Sequence, residues 1–165
     1  MSNLWTLIVA YLLGSIPTGL LVARWTKGVD IRAVGSGNIG ATNVGRGLGL
    51  RWGVAVLAMD AAKGLLAVWL AGRISGGSLS WMAAAALAAM AGNAFSSWLR
   101  FRGGKAVATG AGAFAGAAPL PLLAVAVVFA LAAGASRQVS AGSIAAAATF
   151  PLAVWLIEHP RWEVV

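Results

Sequence analysis

The side chains best suited to chemistry lie in three short polar inserts that interrupt an otherwise apolar chain. The first, GSGNIGATNVGR at 35–46, combines clustered glycines with serine, asparagine, threonine and arginine. The second, RFRGGKAVATG at 100–110, places two glycines before a lysine, and the third, SRQVSAGS at 136–143, adds an arginine and hydroxyl groups. Because clustered glycines let backbone N–H groups converge on an anion and Arg and Lys bind phosphate strongly, the inserts predict a shared phosphate site.

The candidate binding groups of this site are cations, amides and hydroxyls. They are Ser36, Gly37, Asn38, Asn43 and Arg46 in the first insert, Gly103, Gly104, Lys105 and Thr109 in the second, and Arg137 and Ser140 in the third. Residues 35–40 match GxGxxG, but a dinucleotide fingerprint must follow a strand and open a helix, whereas this one follows an apolar span. Ala106 follows the lysine where a P-loop has serine or threonine, so neither nucleotide motif fits.

The other reactive residue types are nearly absent. The chain has no cysteine and one histidine, His159, and Asp30 is the single carboxylate within the inserts and their flanks. A serine–histidine–aspartate triad and a clustered metal site are therefore excluded. The remaining chemistry is the positioning of phosphates and the neutralisation of developing negative charge, which suits an activated substrate with an anionic leaving group.

The elements that carry the inserts are predicted to be membrane helices. The chain of 165 residues is 60% hydrophobic and 10% charged, whereas about a quarter of the residues in soluble domains are charged. Uncharged runs reach the roughly 20 residues that a membrane helix needs, at 3–23, 74–99, 106–136 and 138–157. We predict an all-α, polytopic integral membrane helical bundle that forms a single domain over 1–165, with polar loops at 24–51, 100–110 and 136–143.

The distribution of cations predicts the orientation. Lysine and arginine cluster in the first two loops, so the positive-inside rule places the inserts in the cytoplasm and the N-terminus outside. Two crossings, about 52–72 and 79–99, connect these loops. The 31 uncharged residues of 106–136 exceed one span, and APLP at 118–121 predicts a break into two short ones. With a last span at about 141–157, the chain has about six transmembrane helices.

Small residues and one charged pair stand out within the spans. MAAAALAAMAG at 82–92 and the GxxxG pair of Gly112 and Gly116 predict close helix packing. Asp60 and Lys63 lie three residues apart, so they share a helix face and can bond to each other. Whether that pair is a structural salt bridge or supports the site is left open by the sequence.

Four ordered motifs carry a family resemblance. GSIPTG (14–19), GSGNIGATNVGR (35–46), FRGGKAVATG (101–110) and SRQVSAGS (136–143) resemble motifs of the bacterial acyl-phosphate:glycerol-3-phosphate acyltransferases, over nearly the whole chain to about residue 157. The resemblance implies transfer of a fatty acyl group from acyl phosphate to the 1-hydroxyl of sn-glycerol 3-phosphate, giving lysophosphatidate and phosphate. It implies a multi-pass protein of the bacterial inner membrane that begins phospholipid synthesis, with the bilayer and two substrates as partners. We expect a monomer that binds no nucleic acid, and the resemblance implies that no metal and no tightly bound cofactor are needed.

The resemblance also assigns roles. Ser36, Arg46, Lys105 and Ser140 are expected to be the catalytic contacts, and the other candidate groups are expected to bind substrate. The family pattern has histidine where this chain has Asn93 and glycine where it has Ala106, and it continues through one more C-terminal helix. The alternatives are therefore a catalytically weakened or truncated relative that binds phosphorylated lipid precursors, and a small membrane anion carrier.

Overall fold

The structure, a computed structural model that describes residues 2–158, is built from helices, and no strand occurs in that range. The helices are α1 Ser2–Ser15, α2 Thr18–Lys27, α3 Ala41–Leu48, α4 Leu50–Ile74, α5 Leu79–Ala94, α6 Val107–Ala117, α7 Pro119–Ser136 and α8 Val139–Glu158. Single 3₁₀ turns lie at Ile31–Ala33, in the first loop, and at Ser97–Leu99, just before the second loop. The predicted all-α architecture is confirmed.

The described helices give five candidate membrane spans by length and composition, namely Leu4–Lys27, Leu50–Ile74, Leu79–Leu99, Pro119–Ser136 and Val139–Glu158. The predicted break in 106–136 is present, because α6 ends at Ala117 and α7 begins with Pro119 in its first turn, where proline is well tolerated. The expected count of about six included α6. With 11 residues, α6 is about 16 Å long, well short of the roughly 30 Å hydrocarbon core.

The chain divides into two compact units, Met1–Ala117 and Ala118–Val165. In the first unit α4 is central and packs against α1, α3, α5 and α6. In the second unit α7 and α8 pair as a hairpin, and a Cβ on Gly142 of α8 would press on the backbone carbonyl of Phe129 in α7. The prediction of one domain over the whole chain stays a prediction.

Small residues form the helix contacts of the first unit, as predicted. A Cβ on Gly92 of α5 would overlap the carbonyl oxygen of Tyr11 in α1, and a Cβ on Gly112 of α6 would overlap that of Ala61 in α4. Ala85 and Ala89 of α5 are fully buried, whereas many leucine, valine and tryptophan side chains are exposed. Because lipid is as apolar as leucine, membrane helices associate through close backbone approach rather than through burial of large side chains.

The first span is broken at Pro17, a feature that the sequence analysis did not predict. Proline removes a backbone donor and disturbs the preceding turn, so α1 ends at Ser15 and α2 begins at Thr18. The predicted bond between Asp60 and Lys63 is confirmed, with 2.7 Å between the carboxylate and the ammonium group. Both side chains are buried in α4. Asp60 also accepts a hydrogen bond from Thr18, and Lys63 donates one to the Ile16 carbonyl, so both contact the break.

Asp30 holds the chain where α2 turns into the first polar loop. Its carboxylate accepts hydrogen bonds from the backbone N–H of Arg32 at 3.0 Å and from the Arg32 guanidinium at 2.6 and 2.9 Å. Arg24, in the last turn of α2, donates a further bond at 3.3 Å. The bonds from Arg32 hold the pKa of Asp30 well below its usual range, and the same contact raises the pKa of Arg32.

The lowered pKa of Asp30 predicts a pH dependence of stability. A depressed carboxyl pKa stabilises the fold above the unfolded-state value of about 4, and this contribution is lost as the pH falls below it. Asp30→Asn keeps a side-chain oxygen for the Arg32 N–H but removes the charge. We expect Asp30→Asn to lower the Tm in detergent by a constant small amount between about pH 5 and 8, and the difference to shrink progressively as the pH falls below about 4. A difference that grows on acidification would contradict this account.

Candidate active site

The first insert is organised by one buried amide, that of Asn43 in α3. Its side-chain oxygen accepts the Ser36 N–H at 2.9 Å, and its NH₂ group donates to the carbonyls of Ile31, Val34 and Asn38 at 3.2, 2.9 and 2.8 Å. An amide NH₂ has two hydrogens, so three acceptors already exceed its donor capacity. The predicted substrate-binding role of Asn43 therefore does not fit this geometry, which makes Asn43 the internal support of the loop.

The loop presents its polar groups above an apolar base. Gly35 and Gly37 have φ values of +57° and +71°, a backbone region that residues with a Cβ rarely adopt. Ile39 is buried, and the Asn38 side-chain oxygen accepts the Gly40 N–H at 2.8 Å where α3 begins. The Gly37 N–H donates to the Val34 carbonyl at 3.1 Å, so it is engaged within the turn.

Two predicted catalytic side chains of the first insert are exposed. Ser36 lies at the tip of the loop, and its backbone is fixed by the bond to Asn43. Arg46 extends from the last turn of α3. No ion pair involves Arg46 in the part of the chain that the structure describes, and its guanidinium can therefore bind an external anion.

The second insert lies against the C-terminal end of α5. The N–H groups of Gly103 and Gly104 donate to the carbonyls of Ala94 and Asn93 at 3.0 and 2.9 Å. They therefore satisfy carbonyls that a helix end leaves free, instead of pointing at a ligand as predicted. A Cβ on Gly103 would overlap the Asn93 carbonyl oxygen, so glycine is required for this close approach.

Lys105 and the start of α6 follow directly. The Lys105 side chain is exposed and forms no ion pair within residues 4–158. Ala106 is 8% exposed and has φ +56°, and its N–H donates to the Asn93 side-chain oxygen at 3.2 Å. Thr109 is fully buried within α6, which takes its side chain away from the surface on which Lys105 lies. The predicted contact of Thr109 with substrate does not fit that burial.

The first and second inserts meet. A Cβ on Gly104 would lie 3.6 Å from the side chain of Ile39 and 3.8 Å from the side-chain oxygen of Asn38. The loop that carries Lys105 therefore packs directly on the loop that leads into Arg46. This contact brings two cations from separate inserts to one end of the first unit.

The third insert lies in the second unit, at the turn of the α7–α8 hairpin. Arg137 has φ +56° and ends α7, and the Ser136 hydroxyl donates to the Ala132 carbonyl at 2.6 Å. Ser140 is half-buried in the first turn of α8. Convergence of Arg137 and Ser140 with the other two inserts stays a prediction.

Three supporting residues were missed by the sequence analysis. Asn93 anchors the second insert, Ser96 donates to the Ser15 carbonyl at the break in the first span, and Thr18, which lies in that break, donates to Asp60. A polar residue in an alanine-rich span was the available signal for Asn93. His159 lies outside the described residues, and within them no three His, Cys, Asp or Glu side chains come together.

Comparison with known proteins assigns the family. A sequence model described as glycerol-3-phosphate acyltransferase matches residues 4–165. The chain is 49% identical to the glycerol-3-phosphate acyltransferase of Geobacter sulfurreducens over 151 residues, which cover 92% of this chain and 77% of that protein. It is also 49% identical to that of Anaeromyxobacter dehalogenans strain 2CP-1, over 98% of this chain and 83% of the relative.

Solved structures agree with the sequence comparison. The fold matches PlsY (YgiH), an integral membrane glycerol 3-phosphate acyltransferase, in its glycerol 3-phosphate form, with a TM-score of 0.87 and 39% identity over 94% of this chain and 78% of that one. The lysophosphatidic acid form of PlsY matches with a TM-score of 0.85 and 37% identity over 94% and 77% of the two chains. The chain therefore belongs to the glycerol-3-phosphate acyltransferase family and is an integral membrane acyltransferase.

Proposed function

We propose that this acyltransferase moves a fatty acyl group from acyl phosphate to the 1-hydroxyl of sn-glycerol 3-phosphate, releasing lysophosphatidate and inorganic phosphate. The observation that carries the proposal is the contact of Gly104 with Asn38 and Ile39, which joins two glycine-rich inserts. Each insert carries an exposed cation that forms no ion pair among the described residues. Both substrates are phosphorylated, so two cations on adjoining loops suit them. The PlsY forms named for glycerol 3-phosphate and lysophosphatidic acid support the same acceptor and product.

The proposed mechanism is direct acyl transfer. The 1-hydroxyl oxygen of glycerol 3-phosphate attacks the acyl carbonyl carbon, and a new C–O ester bond forms. The C–O bond to the donor phosphate breaks, phosphate leaves with the bonding electrons, and a substrate phosphate oxygen takes the hydroxyl proton. Lys105 and Arg46 offset the negative charge that develops on the leaving phosphate and the carbonyl oxygen.

Other groups of the inserts contact the substrates in this proposal. The N–H groups in the first turn of α6 follow Lys105 directly and have no acceptors within the helix. The N-terminus of a helix is also the positive end of its dipole, which favours binding of a phosphate. Ser36 binds a substrate hydroxyl or phosphate, and a role of Arg137 and Ser140 in substrate binding stays a prediction from the family motif. The protein acts as a monomer in the bacterial inner membrane, with its N-terminus outside and its site towards the cytoplasm.

The two alternatives differ in measurable ways. An anion carrier would need polar groups leading through the spans, whereas Asp60 and Lys63 are buried and bonded to each other. A weakened relative is favoured by Ala106, which occupies a left-handed backbone conformation in the second insert. Such a relative would bind substrate without turning it over.

Turnover of a defined donor tests the function. With palmitoyl phosphate in detergent or vesicles, we expect phosphate release that depends on glycerol 3-phosphate and that yields lysophosphatidate in equal amount. Release without the acceptor would indicate hydrolysis. Binding of glycerol 3-phosphate without any turnover would establish the weakened relative, and accumulation of glycerol 3-phosphate inside vesicles would establish the carrier.

Removal of the lysine tests the site. Lys105→Ala should lower kcat by about a hundredfold or more, because a charge-stabilising donor in the transition state is lost. Arg102→Ala is the matched control, since Arg102 is an exposed cation of the same insert without a proposed role. It should retain activity within about twofold. Near-normal turnover by a folded Lys105→Ala protein would refute the assignment.

The backbone of Ala106 gives a separate prediction. The left-handed backbone region destabilises the fold by roughly 1–2 kcal/mol when the residue has a Cβ. Glycine avoids this strain, although its greater chain entropy in the unfolded state offsets part of the gain. Ala106→Gly should therefore raise stability by up to about 1 kcal/mol, measured by thermal unfolding. Ala108→Gly, two residues on within α6, should instead lower it by about 0.5–1 kcal/mol. Destabilisation by both changes would show that Ala106 is not strained.

A further inference from the structure

We infer that the break in the first span, residues 14–19, is a positioning device that sets the first insert against the second, with Thr18, Lys63 and Ser96 as its positioning residues. The inference rests on the proposed function for its catalytic consequence. GSIPTG has no group in the proposed phosphate site, yet it carries cross-helix bonds to α4 and to the segment that follows α5.

Two of these bonds go to backbone carbonyls at the break, and the third joins two side chains. The Lys63 ammonium donates to the Ile16 carbonyl at 2.9 Å, and the Ser96 hydroxyl donates to the Ser15 carbonyl at 2.5 Å. The Thr18 hydroxyl donates to the Asp60 carboxylate at 2.5 Å. Broken membrane helices are tolerated where neighbouring helices satisfy the freed backbone groups in this way.

One path leads from the break to the first insert. Gly19 follows Thr18 in α2, and a Cβ there would overlap the carbonyl oxygen of Ile39. The position of α2 therefore sets the position of Ile39, which adjoins Asn38 and supports the loop that carries Ser36. The bond between Thr18 and Asp60 fixes the start of α2 on α4.

A second path leads from the break to the second insert. The Ser96 carbonyl accepts the N–H groups of Leu99 and Phe101 at 3.0 and 2.9 Å, so Ser96 is the base of the turn before Gly103. Its hydroxyl is bound to Ser15, and both residues are fully buried. Both inserts are therefore positioned by contacts with the same short segment of the first span, the break at residues 14–19.

This arrangement matters for transfer between two separately bound substrates. The attacking hydroxyl and the carbonyl carbon must approach to about 3–3.5 Å in the correct direction, and a misplacement of about 1 Å can lower the rate about a hundredfold. A shift of one insert relative to the other changes that approach while leaving each phosphate contact in place. Loss of a positioning bond should therefore lower kcat more than it raises KM.

The test uses two substitutions at Thr18. Thr18→Val keeps the shape and removes the hydroxyl bond to Asp60, whereas Thr18→Ser keeps the hydroxyl and removes a methyl group. We expect Thr18→Val to lower kcat at least tenfold with KM for glycerol 3-phosphate changed less than about threefold, and Thr18→Ser to stay within about threefold of the parent. Thr26→Val is the control, because Thr26 lies in the same helix and bonds only to its own backbone at Val22.

The opposite order, with Thr18→Ser impaired and Thr18→Val active, would show that Thr18 acts by packing alone and would overturn the inference. Equal losses from Thr18→Val and Thr26→Val would do the same.

A distance measurement separates this inference from the proposed reaction. The chain has no cysteine, so spin labels can be placed on Ala33→Cys and Arg102→Cys, both at exposed positions of the two loops. We expect one narrow distance distribution in the parent and in Thr18→Ser, and a broadened or shifted one in Thr18→Val and Ser96→Ala. Unchanged distributions would overturn the positioning role. A parent protein that lacks acyl transfer would overturn the proposed reaction, while the distances would still decide the positioning role.

Discussion

A carbonyl that a helix break sets free inside hydrocarbon needs a donor from another segment, because lipid offers none. At the break beside Pro17, Ser96 and Lys63 donate to the carbonyls of Ser15 and Ile16, and the Ile16 carbonyl also accepts the Thr18 N–H at 3.0 Å. A buried ammonium in turn requires a counter-charge, which explains why a carboxylate lies one helical turn before Lys63. The charged pair of α4 and a serine far away in the sequence therefore both bond to the break at Pro17.

The contacts between the helices follow from the same solvent. Because burial of large apolar side chains gives no advantage over lipid, contact is made by glycine and alanine, and backbones come close together. Gly92 against Tyr11 and Gly112 against Ala61 are such crossings, and neither leaves room for a methyl group. Helices at backbone distance therefore form the core of the first unit, and the first and second inserts follow the ends of α2 and α5.

The sequence predicted those features that depend on composition and local spacing. Apolar runs gave the spans, proline at 119 marked the end of α6, and the spacing of Asp60 and Lys63 predicted their bond. The break at Pro17 had a local signal in the proline itself, whereas the donors that stabilise it lie more than 40 residues away, and an uncharged run gives no sign of them. Asn43 was assigned to substrate for a related reason: the sequence shows an amide among glycines, but three carbonyls that use its hydrogens appear only in the folded loop.

The acidic residues of the first unit explain why its exposed cations stay available. Asp30 is held by Arg24 and Arg32, and Asp60 is buried against Lys63, so neither can reach Arg46 or Lys105. An internal carboxylate beside those cations would have to be displaced before a phosphate could bind, and its charge would repel the phosphate. The chain has a net charge of +8, and Asp30 and Asp60 are both paired with other cations. The surface at the first and second inserts is therefore positive. Under the proposed reaction, two phosphorylated substrates repel each other, and this surface is what allows both to be held at once.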